Sequence, residues 1–466
     1  MKTAILIDIG STFTKAAVAD LEVGEIVYTV KTPSTVQTNV REGLEVCYDK
    51  IRKEIGVNRF QHAKKLATSS AAGGLRMVVL GLTETLSKTA GRNAAFGAGA
   101  KILKSYAGIL SNADIDEIEA MDVELILFCG GFEGGNLKFN RHNAQMLSQM
   151  SANIPIIYAG NSVFVGELKE IFNRNHKEIF IVNNIIPHLG IVNSQPAETM
   201  IRDIFLERIT NMKGLGEVKK ALDSLVMPTP ASVLEAGELL SLGSEEDGLG
   251  PLMIVDIGGA TTDIHSYCIP TAADGAKMIG AEEPYAKRTV EGDLGMRESC
   301  DSTIREVGLA NAAADLNMKE EEIQCYIDRR LKNIKLLPRD ALSDVELESK
   351  FDQQIARYAC RFAVRRHAGK LEDVRLKTFS RIQRGKNLRP IKTIIGTGGA
   401  IINSRNPREI LGEALKTRKD DKLNILLPIS ARLMVDHDYI FYAAGMLKEI
   451  NPKAAIRIMK NSLREV

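Results

Sequence analysis

The chain has 466 residues, 61 Lys+Arg against 59 Asp+Glu and a net charge of +2. Its 44% hydrophobic and 26% charged content excludes a disordered or fibrous chain, and its length lets a core form without disulfides or metals. Balanced charge argues against a nucleic-acid partner, and 38 Gly with no Trp leave few platforms for stacking bases but many places where backbone can meet a ligand.

Short β-branched runs alternate with amphipathic stretches, the pattern of α/β layering. The spacing predicts strands over 4–9, 14–20 and 25–31, a helix over 39–55 and a strand over 65–68. A helix follows over 82–106, then strands over 123–129, 154–158 and 178–182, with helices over 161–174 and 197–210. Residues 143–166 carry no charge or His, but Asn143, Gln145, Gln149, Asn153 and Pro155 interrupt them, so no membrane-spanning helix is expected. The acidic turn SEEDGLG at 244–250 is expected to separate a first domain, 1–243, from a second, 251–466. Beyond it come strands over 252–257 and 263–268, helices over 298–307, 320–332 and 346–371, and a strand over 393–396. The basic segment 375–389 reads as a solvated connector. Six scattered cysteines without CxxC spacing read as reduced thiols in a cytoplasmic protein.

The most informative feature is an internal repeat. ILIDIGSTFTKAAVAD, beginning at Ile5, matches MIVDIGGATTDIHSY, beginning at Met253, at a constant offset of 248. Asp8 thereby falls on Asp256, Ile9 on Ile257, Gly10 on Gly258 and Thr14 on Thr262. One Asp-x-Gly turn is an ordinary tight hairpin. Two, each opening a half of the chain, point to a duplicated fold whose turns expose backbone amides to phosphate. Ser11, Thr12, Thr14 and Lys15 would supply further phosphate ligands in the first turn, and Gly259, Thr261 and Thr262 in the second. Asp8 and Asp256 are the candidate catalytic carboxylates, expected to reach a nucleotide's Mg²⁺ through water. A third element, IIGTGGAI, offers Gly396, Thr397, Gly398 and Gly399, where backbone can lie against a planar or sugar group. Neither the dinucleotide GxGxxG after a strand nor a P-loop is present.

In order, these three elements resemble the superfamily of actin, heat-shock chaperone ATPases and hexokinase. The resemblance implies an α/β, duplicated actin-like ATPase fold: two ribonuclease-H-like halves around a cleft that holds ATP and Mg²⁺. Within it EGDLGMRES, 291–299, is similar to the Gly-rich turn before a helix in the chaperone members, which implies that Gly292 and Gly295 lie near the nucleotide. A closer likeness lies in TSSAAGGLRMVVLGL, NAAFGAGAKI, LFCGGFEGGN, IPIIYAGN and RTVEGDLGMR. These resemble the GlmL/MutL family, accessory proteins of adenosylcobalamin-dependent glutamate mutase and related aminomutases. The loop Gly130-Gly131-Phe132-Glu133 departs from the family, where Thr and Asp are expected after the two glycines. The DxGxG box of the DNA mismatch-repair protein that shares the name is absent, which argues against DNA repair.

The resemblance implies a slow, Mg-dependent ATPase acting as a chaperone-like reactivating factor. It would exchange damaged cobalamin on an amino-acid mutase through an ATP/ADP conformational cycle. The alternatives are a small-molecule kinase of the same superfamily, for which Glu133 and Glu291 are the candidate bases, and an actin-like filament protein. Ser69 and Ser70 are candidates to position a terminal phosphate or a water, or else simply cap a turn. The glycines of 130–135 read as turn formers, Cys129, Cys268 and Cys360 as buried hydrophobes, and His437 as a surface or capping residue.

Overall fold

TAILIDI forms a strand buried along its whole length, and a strand covered on both faces is apolar along most of its run rather than at alternate positions, with Thr3 and Asp8 as the exceptions here. The computed structural model describes residues 2–10, 13–36, 38–69, 75–210, 222–333, 345–374 and 380–466. Contacts divide the chain into two units. The first comprises Met1–Ala236, Gly280–Glu282 and Phe441–Ile458; the second comprises Gly237–Ile279, Glu283–Ile440 and Met459–Val466.

The strands of the first unit are β1 (Thr3–Ile9), β2 (Phe13–Asp20), β3 (Glu25–Pro33), β4 (Lys64–Ser69), β5 (Arg76–Gly81), β6 (Lys101–Ala107), β7 (Leu125–Cys129), β8 (Ile156–Tyr158), β9 (Ile179–Ile181) and β10 (Ser224–Pro228). One sheet runs β10-β4-β1-β2-β3, with β1–β2 and β2–β3 antiparallel and β1–β4 and β4–β10 parallel. Between β4 and β10 the chain builds a second sheet, β6-β5-β7-β8-β9, parallel throughout. Helices cover both of its faces. Ala90 and Ala94 of helix Ser87–Gly97 and Ala197, Ile201 and Phe205 of helix Gln195–Thr210 share a core with Met77, Val79, Leu127 and Ile157. The alternate residues Val78, Leu80, Ile126 and Phe128 pack with helices Lys138–Ser148 and Val165–Arg174. Such coverage is what an all-parallel, doubly wound sheet requires.

The second unit contains β11 (Leu252–Ile257), β12 (Thr262–Tyr267), β13 (Lys277–Met278), β14 (Ala286–Glu291), β15 (Lys370–Asp373), β16 (Arg381–Arg384), β17 (Thr393–Thr397), β18 (Arg432–Asp436) and β19 (Leu463–Glu465). Its main sheet runs β14-β12-β11-β17-β18-β19, beside a small sheet β13-β16-β15. Numbered in chain order within each main sheet, both read third-second-first-fourth-fifth with the same parallel and antiparallel pairs, and the second adds a sixth strand, β19, antiparallel to β18. The repeat extends to the hairpin register. Ile9 pairs with Thr14 and Ile257 with Thr262, so the sequence offset is also the structural one.

The sequence-based helix over 82–106 is shorter in the structure. It spans Ser87–Gly97, and β6 follows. Gly99, at φ +89°, ends it, and the apolar spacing of Ile102, Leu103 and Tyr106 belongs to an edge strand, not a helical face. Helix 346–371 likewise ends at His367, before β15. Helices Val40–Ile55 and Glu320–Lys332 fall where the periodicity puts them. The described part of the segment 375–389 departs from a solvated connector: it contributes β16 and buries Lys386, and its Arg381, Arg384 and Arg389 pair with Asp373, Glu372 and Asp274.

Candidate functional site

β1 carries Asp8 to the end of its strand, opposite Lys15 on β2 and beside Thr68 on β4. Asp8 is 3% exposed. Its Oδ1 accepts from the hydroxyl of Thr229, first residue of helix Thr229–Leu242, at 2.7 Å, and Lys15 Nζ stands 3.9 Å from its Oδ2. Burial holds the Asp8 carboxyl above its ordinary range, against the opposing pull of Lys15 and the hydroxyls of Thr229 and Thr68. The turn is closed by the Gly10 amide on the Phe13 carbonyl at 3.1 Å, and Ser34 Oγ donates to the Gly10 carbonyl at 2.7 Å. Thr14 is 1% exposed and lies under the turn, where a Cβ at Gly43 would meet its Oγ1 at 3.4 Å. Ser69 donates to the Ile9 carbonyl at 3.2 Å. Ser11, Thr12 and Ser70 lie outside the described residues.

The second turn repeats this closure: the Gly258 amide donates to the Thr261 carbonyl at 2.9 Å. Its outward side is held by the segment the sequence singled out as a Gly-rich turn. The amides of Met296 and Arg297 donate to the carbonyls of Gly258 and Gly259 at 3.1 and 2.7 Å. Ser299 Oγ reaches the carbonyls of Ala260 and Gly292 at 2.8 and 3.0 Å, and Thr262 Oγ1 reaches that of Leu294 at 2.8 Å. With the carbonyls so engaged, the amides of Gly259 and Ala260 make no hydrogen bond among the described residues. Thr261 Oγ1 bonds Asp263, which takes the place of Lys15 and is ion-paired to buried Arg288 at 2.5 Å.

The third Gly element joins this turn because β17 runs parallel to β11, pairing Thr397 with Asp256. Gly398 has φ +86°, and a Cβ there would come within 2.5 Å of Asp256 Oδ1. Gly396 is closed in by Ile401, where a Cβ would stand 2.6 Å from Cγ2, whereas Gly399 is open. Thr397 is buried and donates to Asp436, a fully buried carboxylate that also accepts from Ser462 and the Ile440 amide. Gly258, Gly259, Thr261, Thr262, Gly292, Gly396, Thr397, Gly398 and Gly399 thus form one constellation around Asp256. Gly10, Thr14 and Lys15 form another around Asp8.

These residues fit a Mg²⁺-bound polyphosphate in their donor chemistry. The second turn offers unengaged amides, and each turn has a carboxylate at its base. Among the described residues no three His, Cys, Asp or Glu side chains cluster to hold a metal by themselves, so an ion here would keep water and phosphate oxygens as ligands. Asp436, which the sequence marks with Asp438 as a helix-start charge before the apolar run 439–447, does accept from the Ile440 amide ahead of helix Phe441–Gly445, whereas sequence reasoning missed Thr229 and Arg288, whose partners lie on other strands.

The remaining candidates take structural places. Gly130 is hemmed in by Asn140 and Tyr158, where a Cβ would stand 2.7 and 2.8 Å from their polar atoms. Glu133 is bonded to Ser162 and Asn184, and Glu291 to Arg366. Cys129, Cys268 and Cys360 are buried thiols, and His437 pairs with Asp438 at the surface.

Two main sheets that share five strands in the same order, each opening on an Asp-Ile-Gly hairpin in the same register, define a duplicated α/β fold, the architecture implied by the resemblance to the actin-like superfamily. The chain belongs to the MutL protein family, whose model matches residues 4–463. Protein MutL from Clostridium tetanomorphum is 38% identical over 473 residues, covering 100% of each chain. Among solved structures, a glycerol dehydratase reactivase has 10% identity over 96% of this chain and 99% of its own, with a TM-score of 0.35. Gluconate kinase from Lactobacillus acidophilus has 8% identity over 100% and 93%, with a TM-score of 0.34. No described helix is long and apolar enough to cross a membrane.

Proposed function

We propose that this protein is a reactivating factor for an adenosylcobalamin-dependent amino-acid mutase, glutamate mutase or a relative, working in the cytoplasm. Full-length membership of the MutL family carries this reading. The duplicated hairpins support nucleotide binding as its energy source: backbone amides and Lys15 would take phosphate oxygens, while Asp8 and Asp256 would hold the hydrated Mg²⁺. The ion would offset phosphate charge during a slow hydrolysis. A cycle between ATP and ADP forms that bind the mutase differently would loosen it and let damaged cobalamin leave.

A small-molecule kinase would need a free carboxylate base, and Glu133 and Glu291 are both engaged by partners, so it is the weaker alternative. The test adds the purified protein and ATP-Mg²⁺ to a cyanocobalamin-inhibited aminomutase. Recovery of activity with release of cyanocobalamin is expected, and Asp8→Ala or Asp256→Ala should abolish it. No recovery with the native protein overturns the proposal.

A further inference from the structure

The Asp8 carboxylate has two oxygens in two different settings. Oδ1 accepts the Thr229 hydroxyl at 2.7 Å, while Oδ2 faces Lys15 Nζ at 3.9 Å, a separation that is an ion pair but too long for a hydrogen bond. Thr229 reaches Asp8 from a helix start 221 residues away, immediately after β10 and directly before Pro230. A hydroxyl serving only as a helix cap would accept from an amide of the first turn. Here it donates to a carboxylate on another strand, and such charge-assisted bonds are short and directional.

We propose that Thr229 is a positioning residue for the nucleotide's metal: it holds Oδ1 of Asp8, a carboxylate that the Thr68 hydroxyl also bonds, and so sets the orientation in which the carboxylate meets the hydrated Mg²⁺. This inference rests on the proposed nucleotide reading and adds to it the way the first carboxylate is held.

Calorimetric titration with a non-hydrolysable ATP analogue, with Mg²⁺ and with EDTA, provides the test. Thr229→Val keeps the shape and removes the donor. Its affinity should fall about tenfold with Mg²⁺, the equivalent of one lost charge-assisted bond, yet change less than about twofold in EDTA. Thr229→Ser should behave as the native protein, with and without metal. Equal weakening in both conditions, or a lowered melting temperature with unchanged Mg²⁺ dependence, would make Thr229 merely structural and overturn the inference. If Thr229→Val does not fold, Thr229→Ala is carried through the same pair of titrations. Absence of metal-dependent binding by the native protein would bring down the nucleotide reading and this inference together. Metal-dependent binding that survives loss of the hydroxyl would bring down this inference alone.

Discussion

At Gly398 backbone angle and space agree. The φ of +86° lies in the left-handed region, and any Cβ would meet Asp256 Oδ1 at 2.5 Å and the Ile257 carbonyl at 2.6 Å. Gly398→Ala is therefore expected to cost roughly 1–3 kcal/mol of stability and to weaken nucleotide binding by moving Asp256. Gly259 is the contrasting position: its φ lies outside that region and a Cβ finds only Arg297, 3.8 Å away, so Gly259→Ala should fold with native stability. Thermal unfolding of the two variants checks this, and an undisturbed Gly398→Ala protein would mean that the turn can rearrange. The sequence marked both glycines. It could not rank them, because what closes in on Gly398 is a neighbouring strand.

Among the elements, β14 shows why a strand escapes sequence reading. AKRTVE has the charge of a surface segment, yet Lys287 pairs with Glu283 at 2.8 Å and Arg288 with Asp263 at 2.5 Å, both inside the unit. The same region buries Lys386 completely, its ammonium donating to the carbonyls of Ser266 and Tyr285 at 2.9 and 2.5 Å. Burial, aided by Lys287 and opposed by Cys268 and Glu283, lowers the Lys386 pKa to about 8 from 10.5. The unfolded chain thus binds the proton more tightly than the folded one. The burial penalty is full below pH 8 and fades as pH rises toward 10.5, so this group makes stability increase with pH across that window. Denaturant titrations of the native protein and Lys386→Met should differ in slope there by on the order of 3 kcal/mol in total. Identical pH profiles would refute the assignment. Burial also holds His367 well below its usual pKa, neutral between Thr289 Oγ1 and Ser266 Oγ, each at 2.7 Å. Helix Glu320–Lys332, in contrast, was legible from end to end. Its buried Ile323, Tyr326, Ile327 and Arg330 recur at helical spacing, although the partners of Arg330, Glu348 and Asp352, lie on another helix.

At the scale of the whole molecule, a reactivating factor works only if its ATP and ADP forms bind the mutase with different affinity, since a ligand shifts an equilibrium by no more than its preference between states. The ADP-bound and ATP-analogue-bound forms should differ at least about tenfold in mutase affinity by calorimetry, the usual size of a coupling free energy. Equal affinities would remove the mechanism. The sequence by itself determined the duplication and the two hairpins, because a strand, an Asp-Ile-Gly turn and a returning strand are encoded within some fifteen residues and pair locally. It also carried the family. Only the tertiary structure decided that Thr229 holds Asp8, that Gly398 stands against Asp256, that Arg288 neutralises Asp263, and that a wholly parallel sheet is inserted between β4 and β10. Parallel pairing and a buried charge's partner both draw on distant parts of the chain, and no local period of hydrophobicity records which distant segment will arrive.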